Sequence, residues 1–213
     1  MISWIDDGII LSTQEHGEKY TTITIFTKEH GKVIGLTRTT KSQTLLNFSL
    51  VQVSYNSRAD NSNGFWKLLS EKPTWISIYN SENHLIVCQG ICFILNKMLP
   101  FNAKYSYLYE LTEYVLSHLK QFNKEQILFL YAYFELTMLK NLGFSLSLNY
   151  TDIFLNFDDI LDIVSSQQFQ LDIHQLLCIS SRIMEQHLTK VDNFFRASII
   201  NKTTSYIKDQ EEI

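Results

Sequence analysis

Alternation of polar and apolar residues dominates the first eighty positions of the chain. The stretch Tyr20–Thr27, YTTITIFT, alternates Thr with Ile and is rich in β-branched residues, which predicts a strand with one buried face. Similar short runs lie before and after it, separated by turn residues. The predicted strands are Gly8–Thr13, Tyr20–Thr27, Lys32–Arg38, Ser49–Tyr55, Gly64–Leu69 and Thr74–Tyr79. Five or six short strands in eighty residues indicate a small closed barrel, for which an OB-like barrel is the natural candidate.

After Asn80 the apolar residues follow the helical period instead. Three helices are predicted over Asn83–Met98, Lys104–Phe122 and Glu125–Leu142, with Pro100 ending the first and Gly143 capping the third. Further helices are predicted over Asp158–Ser165, Asp172–His187 and Asp192–Lys208. The chain is therefore predicted to be α+β, with an OB-like β-barrel in residues 1–80 and an all-α helical domain in residues 81–213.

Charge changes this picture locally. The net charge of the 213 residues is -4, which excludes a uniformly basic coat for nucleic acid. Between positions 28 and 41, however, the chain carries four cations and a single acidic residue, Glu29. The cations are Lys28, Lys32, Arg38 and Lys41. This island is either the solvated surface of a sheet or a site for a polyanion.

Aromatic residues near the same strands help to decide between a solvated sheet surface and a polyanion site. An OB-like barrel binds single strands by combining a basic groove with exposed rings on which bases stack. Arg58 and Lys67 are outlying candidates for phosphate contacts. The candidate rings are Trp4, Tyr20, Tyr55, Phe65 and Trp66, although aromatic residues of a small barrel more often belong to its core.

Other chemistry is weakly supported. Cys88 and Cys92 lie four apart on a predicted helix, but their apolar neighbours favour buried thiols over metal ligands. Asp158 and Asp162 could suggest a carboxylate active site, but acidic residues are expected at the start of a helix. Cys178 as a catalytic nucleophile lacks an identifiable general base. The three cysteines suit a reducing, cytosolic compartment. The N-terminus lacks the pattern of a secretory signal, and polar residues interrupt the longest apolar stretches, so no membrane span is expected.

The opening of the chain resembles the bacterial recombination mediator family RecO. The resemblance lies in WIDDGIILSTQEHGEKYTTITIFTKEHGKVIGLTRTTKSQ, where a first strand of the form D-E-G-I-V-L precedes a turn and a strand ending in L-F-T-x-E-H-G-K. Later, LPFNAKYSYLYELTEYVLSHL and YAYFELTMLKNLGFSLSL are similar to two helices of that family, although Lys104 replaces a second proline. The resemblance covers residues 1 to about 150 well and the remainder weakly.

Two departures from the family pattern affect the expected sites. Many relatives have C-x-x-C and a second cysteine pair that bind structural zinc, whereas this chain continues with LNYTDIFLNFDDIL, so no metal or other cofactor is expected. Relatives often carry several successive Arg and Lys residues in the basic loop, which is reduced here to TRTTKSQ.

The resemblance implies a non-enzymatic protein of DNA repair that binds single- and double-stranded DNA, anneals strands and works with RecR to load RecA. It implies that the barrel holds phosphates through Lys28, Lys32, Arg38 and Lys41. It also implies that the helical domain binds the acidic C-terminal tail of single-stranded DNA-binding protein, with Lys97, Lys140, Arg182, Lys190 and Arg196 as candidate cations. A scaffold that binds only proteins is the alternative, and an enzyme is the least favoured class.

Overall fold

The computed structural model describes residues 2–16, 19–38, 45–58, 64–72 and 82–143. Its strands are β1 (Ile2–His16), β2 (Tyr20–Thr27), β3 (Gly31–Arg38), β4 (Leu50–Ser57) and β5 (Gly64–Lys72). Its helices are α1 (Glu82–Met98), α2 (Ser106–His118), a 3₁₀ turn (Leu119–Gln121) and α3 (Lys124–Asn141). The predicted strand Thr74–Tyr79 and the three helices predicted after residue 157 lie outside the described residues.

The five strands form a closed barrel in the order β1-β2-β3-β5-β4. Neighbouring strands are antiparallel except β3 and β5, which pair in parallel. This arrangement is the five-stranded OB barrel that the strand pattern predicts, and with the helices that follow it confirms the α+β class. The inward positions build one apolar core: Ile10, Ile23, Ile25, Val33, Val51, Val53, Tyr55 and Trp66.

Strand β1 is longer than its sequence predicts and serves both neighbours of the barrel. Its first half pairs with β4 from Ile2 to Ile9, and its second half pairs with β2 from Gly8 to His16. The register shifts between Ile10 and Ser12, where a bulge lets the strand bend from one partner to the other. Acidic residues before Gly8 disfavour a strand by propensity, but cross-strand pairing overrides this preference.

A short linker joins α1 to α2 and runs along the start of β3. Phe101 forms a parallel bridge with Lys32, and the backbone N–H of Asn102 donates to the Lys32 carbonyl at 3.0 Å. Gly31 is needed here, because its φ is +72° and a Cβ would lie 2.0 Å from the Ala103 oxygen. The linker is thus fixed against the barrel by backbone contacts.

Helix α3 begins with a capping box, in which the Asn123 side chain accepts from the Gln126 N–H and the Gln126 side chain accepts from the Asn123 N–H. Gly143 follows its end with φ +83°, and its N–H donates to the Lys140 carbonyl at 3.0 Å. The left-handed glycine that the sequence predicts as a cap is therefore present one residue beyond the C-cap.

The chain divides into two compact units. One comprises Met1–Asn80 with Cys92–Ser117, and the other comprises Ser81–Ile91 with His118–Ile213. The domain boundary near residue 80 stays a prediction from the change of period.

Candidate nucleic-acid interface

Lys28 lies in the turn that joins β2 to β3, at one end of the barrel. Its side chain is 40% exposed, and its Nζ lies 3.9 Å from a carboxylate oxygen of Glu110. In the same turn, Glu29 forms an ion pair with Lys104. A carboxylate partner therefore already accompanies the Lys28 ammonium, at a distance where solvent screening keeps the attraction weak.

A buried carboxylate holds this turn in place. Asp6 is 7% exposed, and its Oδ2 accepts from the backbone N–H groups of Glu29 and His30 at 2.9 and 3.2 Å. The Nδ1 of His30 lies 2.8 Å from the same oxygen. The imidazole also stacks on Trp4, with ring centroids 3.8 Å apart. Because several contacts constrain the turn, its conformation is fixed independently of any ligand.

Lys32 does not present its charge to solvent, which corrects its expected role as a phosphate contact. The residue is 3% exposed, and its Nζ donates to the Asn96 carbonyl at 2.7 Å. The same nitrogen lies 4.3 Å from the centroid of the Phe101 ring. Burial lowers the pKa of Lys32 because desolvation disfavours the ammonium. Its ammonium therefore stabilises the folded chain through the hydrogen bond to Asn96.

The chemistry at Asn96 explains why a buried lysine is tolerated. In a helix the Asn96 carbonyl would accept from the N–H four residues later, but that residue is Pro100, which has no N–H. Lys32 supplies the missing donor at the C-terminal end of α1, where the helix dipole also favours a cation.

Arg38 is exposed at the opposite end of β3 from the Lys28 turn. Seven residue steps separate it from Gly31, which corresponds to roughly 23 Å along the strand. Lys41 lies outside the described residues. The described members of the basic island therefore do not converge on one spot: Lys28 and Arg38 mark two ends of the barrel, and Lys32 is buried near the first.

The Arg38 end of the barrel gathers cations that are distant in sequence. Here β2 begins, β3 and β4 end, and β5 begins. Arg58 follows β4, Lys19 precedes β2, and Lys67 lies three residues into β5; all three are exposed. We name as the distal barrel edge the residues Lys19, Tyr20, Arg38, Arg58, Phe65 and Lys67. The four cations of this edge are Lys19, Arg38, Arg58 and Lys67, and none of them forms an ion pair with a described residue.

Sequence reasoning placed Arg38 in the main cluster and Arg58 and Lys67 outside it, and it missed Lys19. The signal for Lys19 was its position directly before the first residue of a strongly predicted strand. One described carboxylate, that of Glu15, belongs to the neighbouring part of β1, whose register places it across from Thr21. The charge of the distal barrel edge thus remains positive among the described residues.

The candidate stacking rings separate into two groups. Tyr55 and Trp66 are 9% and 4% exposed and belong to the barrel core, and Trp4 packs against that core. These three are therefore corrected from candidate stacking rings to structural residues. Phe65 is 51% exposed, and its ring centroid lies 6.2 Å from that of Tyr20 in an edge-to-face arrangement.

Two of the candidate partner-binding cations lie within the described residues. Lys97 and Lys140 are exposed in the last turns of α1 and α3. The Lys97 Nζ lies 5.8 Å from the centroid of the Phe93 ring. Arg182, Lys190 and Arg196 lie outside the described part of the chain, so the proposed cation set stays a prediction.

Cys88 and Cys92 are free thiols, 0% and 3% exposed within α1. Burial raises the pKa of the Cys88 thiol because the thiolate would be desolvated. Across the described ranges, no three His, Cys, Asp or Glu residues are grouped so that they could hold a metal ion. None of the described helices is long and apolar enough to cross a membrane.

Comparison with protein families gives two matches that together span most of the chain. Residues 1–64 match the model described as "Recombination protein O N terminal". Residues 83–190 match the model described as "Recombination protein O C terminal", which is just over half of the chain. The first match covers the described barrel up to the start of β5, and the second includes all three described helices except the first residue of α1.

Several curated bacterial proteins are similar to this chain. The "DNA repair protein RecO" of Ehrlichia chaffeensis is 31% identical over 149 residues, covering 68% of this chain and 60% of the relative. The protein of that name from Afipia carboxidovorans is 30% identical over 155 residues, covering 70% and 60%. The one from Wolbachia sp. subsp. Drosophila simulans is 28% identical over 151 residues, covering 68% and 61%. The matched region thus spans about three fifths of the length of these relatives.

Proposed function

Because the chain belongs to the RecO family of recombination proteins, we propose that it is a non-enzymatic mediator of DNA repair and homologous recombination. In this role it binds single- and double-stranded DNA, anneals complementary strands, and works with RecR to load RecA in the bacterial cytoplasm, at the nucleoid during repair. The observation that carries the DNA-binding part is the distal barrel edge, where four exposed cations, none of them ion-paired with a described residue, accompany an exposed aromatic ring.

The position of this edge supports the proposal. OB barrels bind oligonucleotides on the outer face of strands 2 and 3 and with the loops that join strands 1 to 2 and 4 to 5. Arg38 and Tyr20 are partners in the register of β2 and β3. Lys19 directly precedes β2, and Arg58 directly follows β4, so both belong to the two loop regions.

The number of cations sets the expected strength of the salt effect. Each phosphate contact with a single strand contributes about -0.7 to the slope of log affinity against log salt concentration, because the contact releases a condensed counterion. If Lys19, Arg38, Arg58 and Lys67 each contact one phosphate, the slope is about -3. Lys28 and Lys41 remain in the proposal as further contacts, whereas Lys32 does not.

Fluorescence anisotropy of a labelled oligonucleotide, measured over a series of salt concentrations, tests this assignment. The double variant Arg38→Ala/Arg58→Ala is expected to reduce the slope by about 1.4, because two contacts are lost. Lys72→Ala is the matched control, since Lys72 is exposed at the other end of β5. Unchanged slope and affinity in the double variant, or an equal loss in the control, would contradict the interface.

We also propose that the helical domain binds the acidic tail of single-stranded DNA-binding protein through cations drawn from Lys97, Lys140, Arg182, Lys190 and Arg196. Pull-down of single-stranded DNA-binding protein and RecR, with and without nuclease, separates direct contact from contact through DNA. Lys97→Ala and Lys140→Ala are assayed separately, because the two residues belong to different compact units. Capture of partners by a protein without DNA affinity would favour the protein-binding scaffold instead.

A further inference from the structure

We propose that Phe65, supported by Tyr20, is a stacking platform for unpaired bases and makes the distal barrel edge selective for single-stranded over duplex DNA. This inference rests on the proposed function, because it requires that nucleic acid binds at this edge. It adds the residue that distinguishes one form of DNA from the other, which phosphate contacts alone do not specify.

The outward direction of Phe65 follows from the strand. Its neighbours Gly64 and Trp66 are buried, and successive side chains of a strand point to opposite faces. The Phe65 ring must therefore lie on the outside of the barrel, where half of its surface is open. An aromatic ring that is open to solvent on this face is what the stacking of a base requires.

The backbone on both sides of the ring is held by buried hydrogen bonds. The Gly64 N–H donates to the Tyr55 hydroxyl at 2.9 Å, and the Trp66 carbonyl accepts from the Thr37 hydroxyl at 3.2 Å. The Trp66 indole N–H donates to the Ile23 carbonyl at 3.2 Å. The ring is thus carried by a segment that is ordered before any ligand binds, which lowers the entropy cost of binding.

Contact with Tyr20 further restricts the orientation of the Phe65 ring. The two rings extend from β2 and β5 toward each other across the outer face of β3, and their planes meet at 63° with centroids 6.2 Å apart. An edge-to-face contact of this kind is favourable beyond the area it buries. It restrains Phe65 while leaving 51% of the residue exposed.

Cations lie at a suitable distance from this platform. Phe65 pairs in register with Leu36, and Arg38 follows two residues later on the same face of β3. The spacing between strands and along a strand places the Cα atoms of Phe65 and Arg38 roughly 8 Å apart. Lys67 follows Phe65 by two residues on the same face of β5. A base on the ring can therefore have its phosphate within reach of a guanidinium or an ammonium.

The expected selectivity follows from the state of the bases. In a single strand a base can leave its neighbours and stack on an aromatic ring, whereas the bases of a duplex are paired and stacked within it, and exposing one costs a few kcal/mol. Cations bind the backbone of both forms. Removing the ring should therefore weaken binding of single strands far more than binding of duplex.

Three labelled probes of equal length test the proposal on the 213-residue chain: oligothymidylate, an abasic strand and a duplex. Wild type is expected to bind oligothymidylate more tightly than the abasic strand, which has the same phosphates but no bases. Phe65→Ala should weaken oligothymidylate binding by between about 5-fold and 150-fold, the range for one stacked base, and leave the abasic strand and the duplex within about 2-fold.

Two further variants make the result specific to the aromatic face. Phe65→Trp is expected to retain the affinity for oligothymidylate, and Phe65→Leu is expected to lose it, although both are apolar. Leu69→Ala is the matched control, since Leu69 is an exposed apolar residue of the same strand, 42% exposed. Circular dichroism of each variant establishes that the barrel is intact.

The outcomes separate this inference from the function on which it rests. Equal, salt-dependent binding of all three probes, unchanged in Phe65→Ala, would overturn the stacking platform and leave DNA binding in place. Equal loss for Phe65→Ala and Leu69→Ala would also overturn it, because a general apolar surface would then account for the effect. Failure of wild type to bind any probe would contradict the proposed function itself.

Discussion

Replacing Lys32 with methionine distinguishes a structural lysine from a DNA-binding one. Methionine keeps the length and apolar character of the side chain but removes the ammonium that donates to the Asn96 carbonyl at 2.7 Å. Since Pro100 cannot supply an N–H, that carbonyl loses its donor while the surrounding residues stay packed. The substitution therefore targets one interaction at the end of α1 with little change in volume.

The magnitude follows from the contacts. A hydrogen bond from a charged donor contributes about 1.5–3 kcal/mol, the helix dipole at a C-terminus about 0.3–1 kcal/mol, and the contact with the Phe101 ring about 0.5–2 kcal/mol. The lowered pKa of Lys32 shows that burying the ammonium costs part of this gain. We expect a net loss of about 2 kcal/mol in the free energy of unfolding, or about 4–8 °C in melting temperature for a chain of this size.

Thermal unfolding followed by circular dichroism measures this effect, and Lys72→Met is the control. Lys72 is an exposed lysine of the same barrel, and its replacement is expected to change stability by no more than about 0.5 kcal/mol. The DNA affinity and salt slope of Lys32→Met, measured below the melting transition, should equal those of wild type. A variant with unchanged melting temperature and a smaller salt slope would refute the reasoning, because Lys32 would then contact phosphate.

Three further changes test the contacts around the barrel. Gly31→Ala should cost about 3 kcal/mol, from the left-handed backbone and the clash with the Ala103 carbonyl. Gly143→Ala should cost only about 1–2 kcal/mol, because none of the described residues lies within 4 Å of a Cβ placed there. Urea denaturation compares the two variants, and equal costs would contradict the close approach at Gly31. Asp6→Ala should cost about 2–3 kcal/mol, because the Glu29 N–H loses the Asp6 carboxylate and the His30 N–H keeps only the Thr27 hydroxyl as acceptor; an unchanged urea midpoint would contradict this. Burial raises the pKa of Tyr109, and the nearby carboxylates of Glu113, Asp7 and Asp6 raise it further. Above pH ~10 the unfolded chain therefore releases a proton that the folded chain keeps, and the free energy of unfolding falls as pH rises. Tyr109→Phe should reduce this loss of stability at alkaline pH, measured as the free energy of unfolding in urea. Lys32 acts in the opposite direction in both proteins, because its lowered pKa makes stability rise with pH up to about 10.5. Identical pH profiles of the variant and wild type would contradict the assignment to Tyr109.

Local pattern was sufficient for much of the fold because local physics sets it. The strand Tyr20–Thr27 has the bounds that its alternation predicts, since Ile23 and Ile25 fill the barrel core. Helix α3 begins within one residue of its predicted start because Asn123 and Gln126 form a capping box. These features depend on residues that are close in sequence.

The candidate site was only partly accessible to sequence reasoning. Arg38 is exposed as expected, but Tyr55 and Trp66 are core residues, and only the barrel shows that Phe65 faces outward beside Tyr20. The edge is assembled from strand ends far apart in the chain, so its composition depends on the order in which the strands pair.

By itself the sequence determined the α+β class, the OB-like strand pattern and a local excess of positive charge. Tertiary structure decided which charges are available. Lys32 and Arg38 occupy the same outer face of β3, and no local pattern separates them. Lys32 is buried because Asn96 and the linker after α1, more than sixty residues later, cover that end of the strand. Arg38 is exposed because none of the described residues covers the other end.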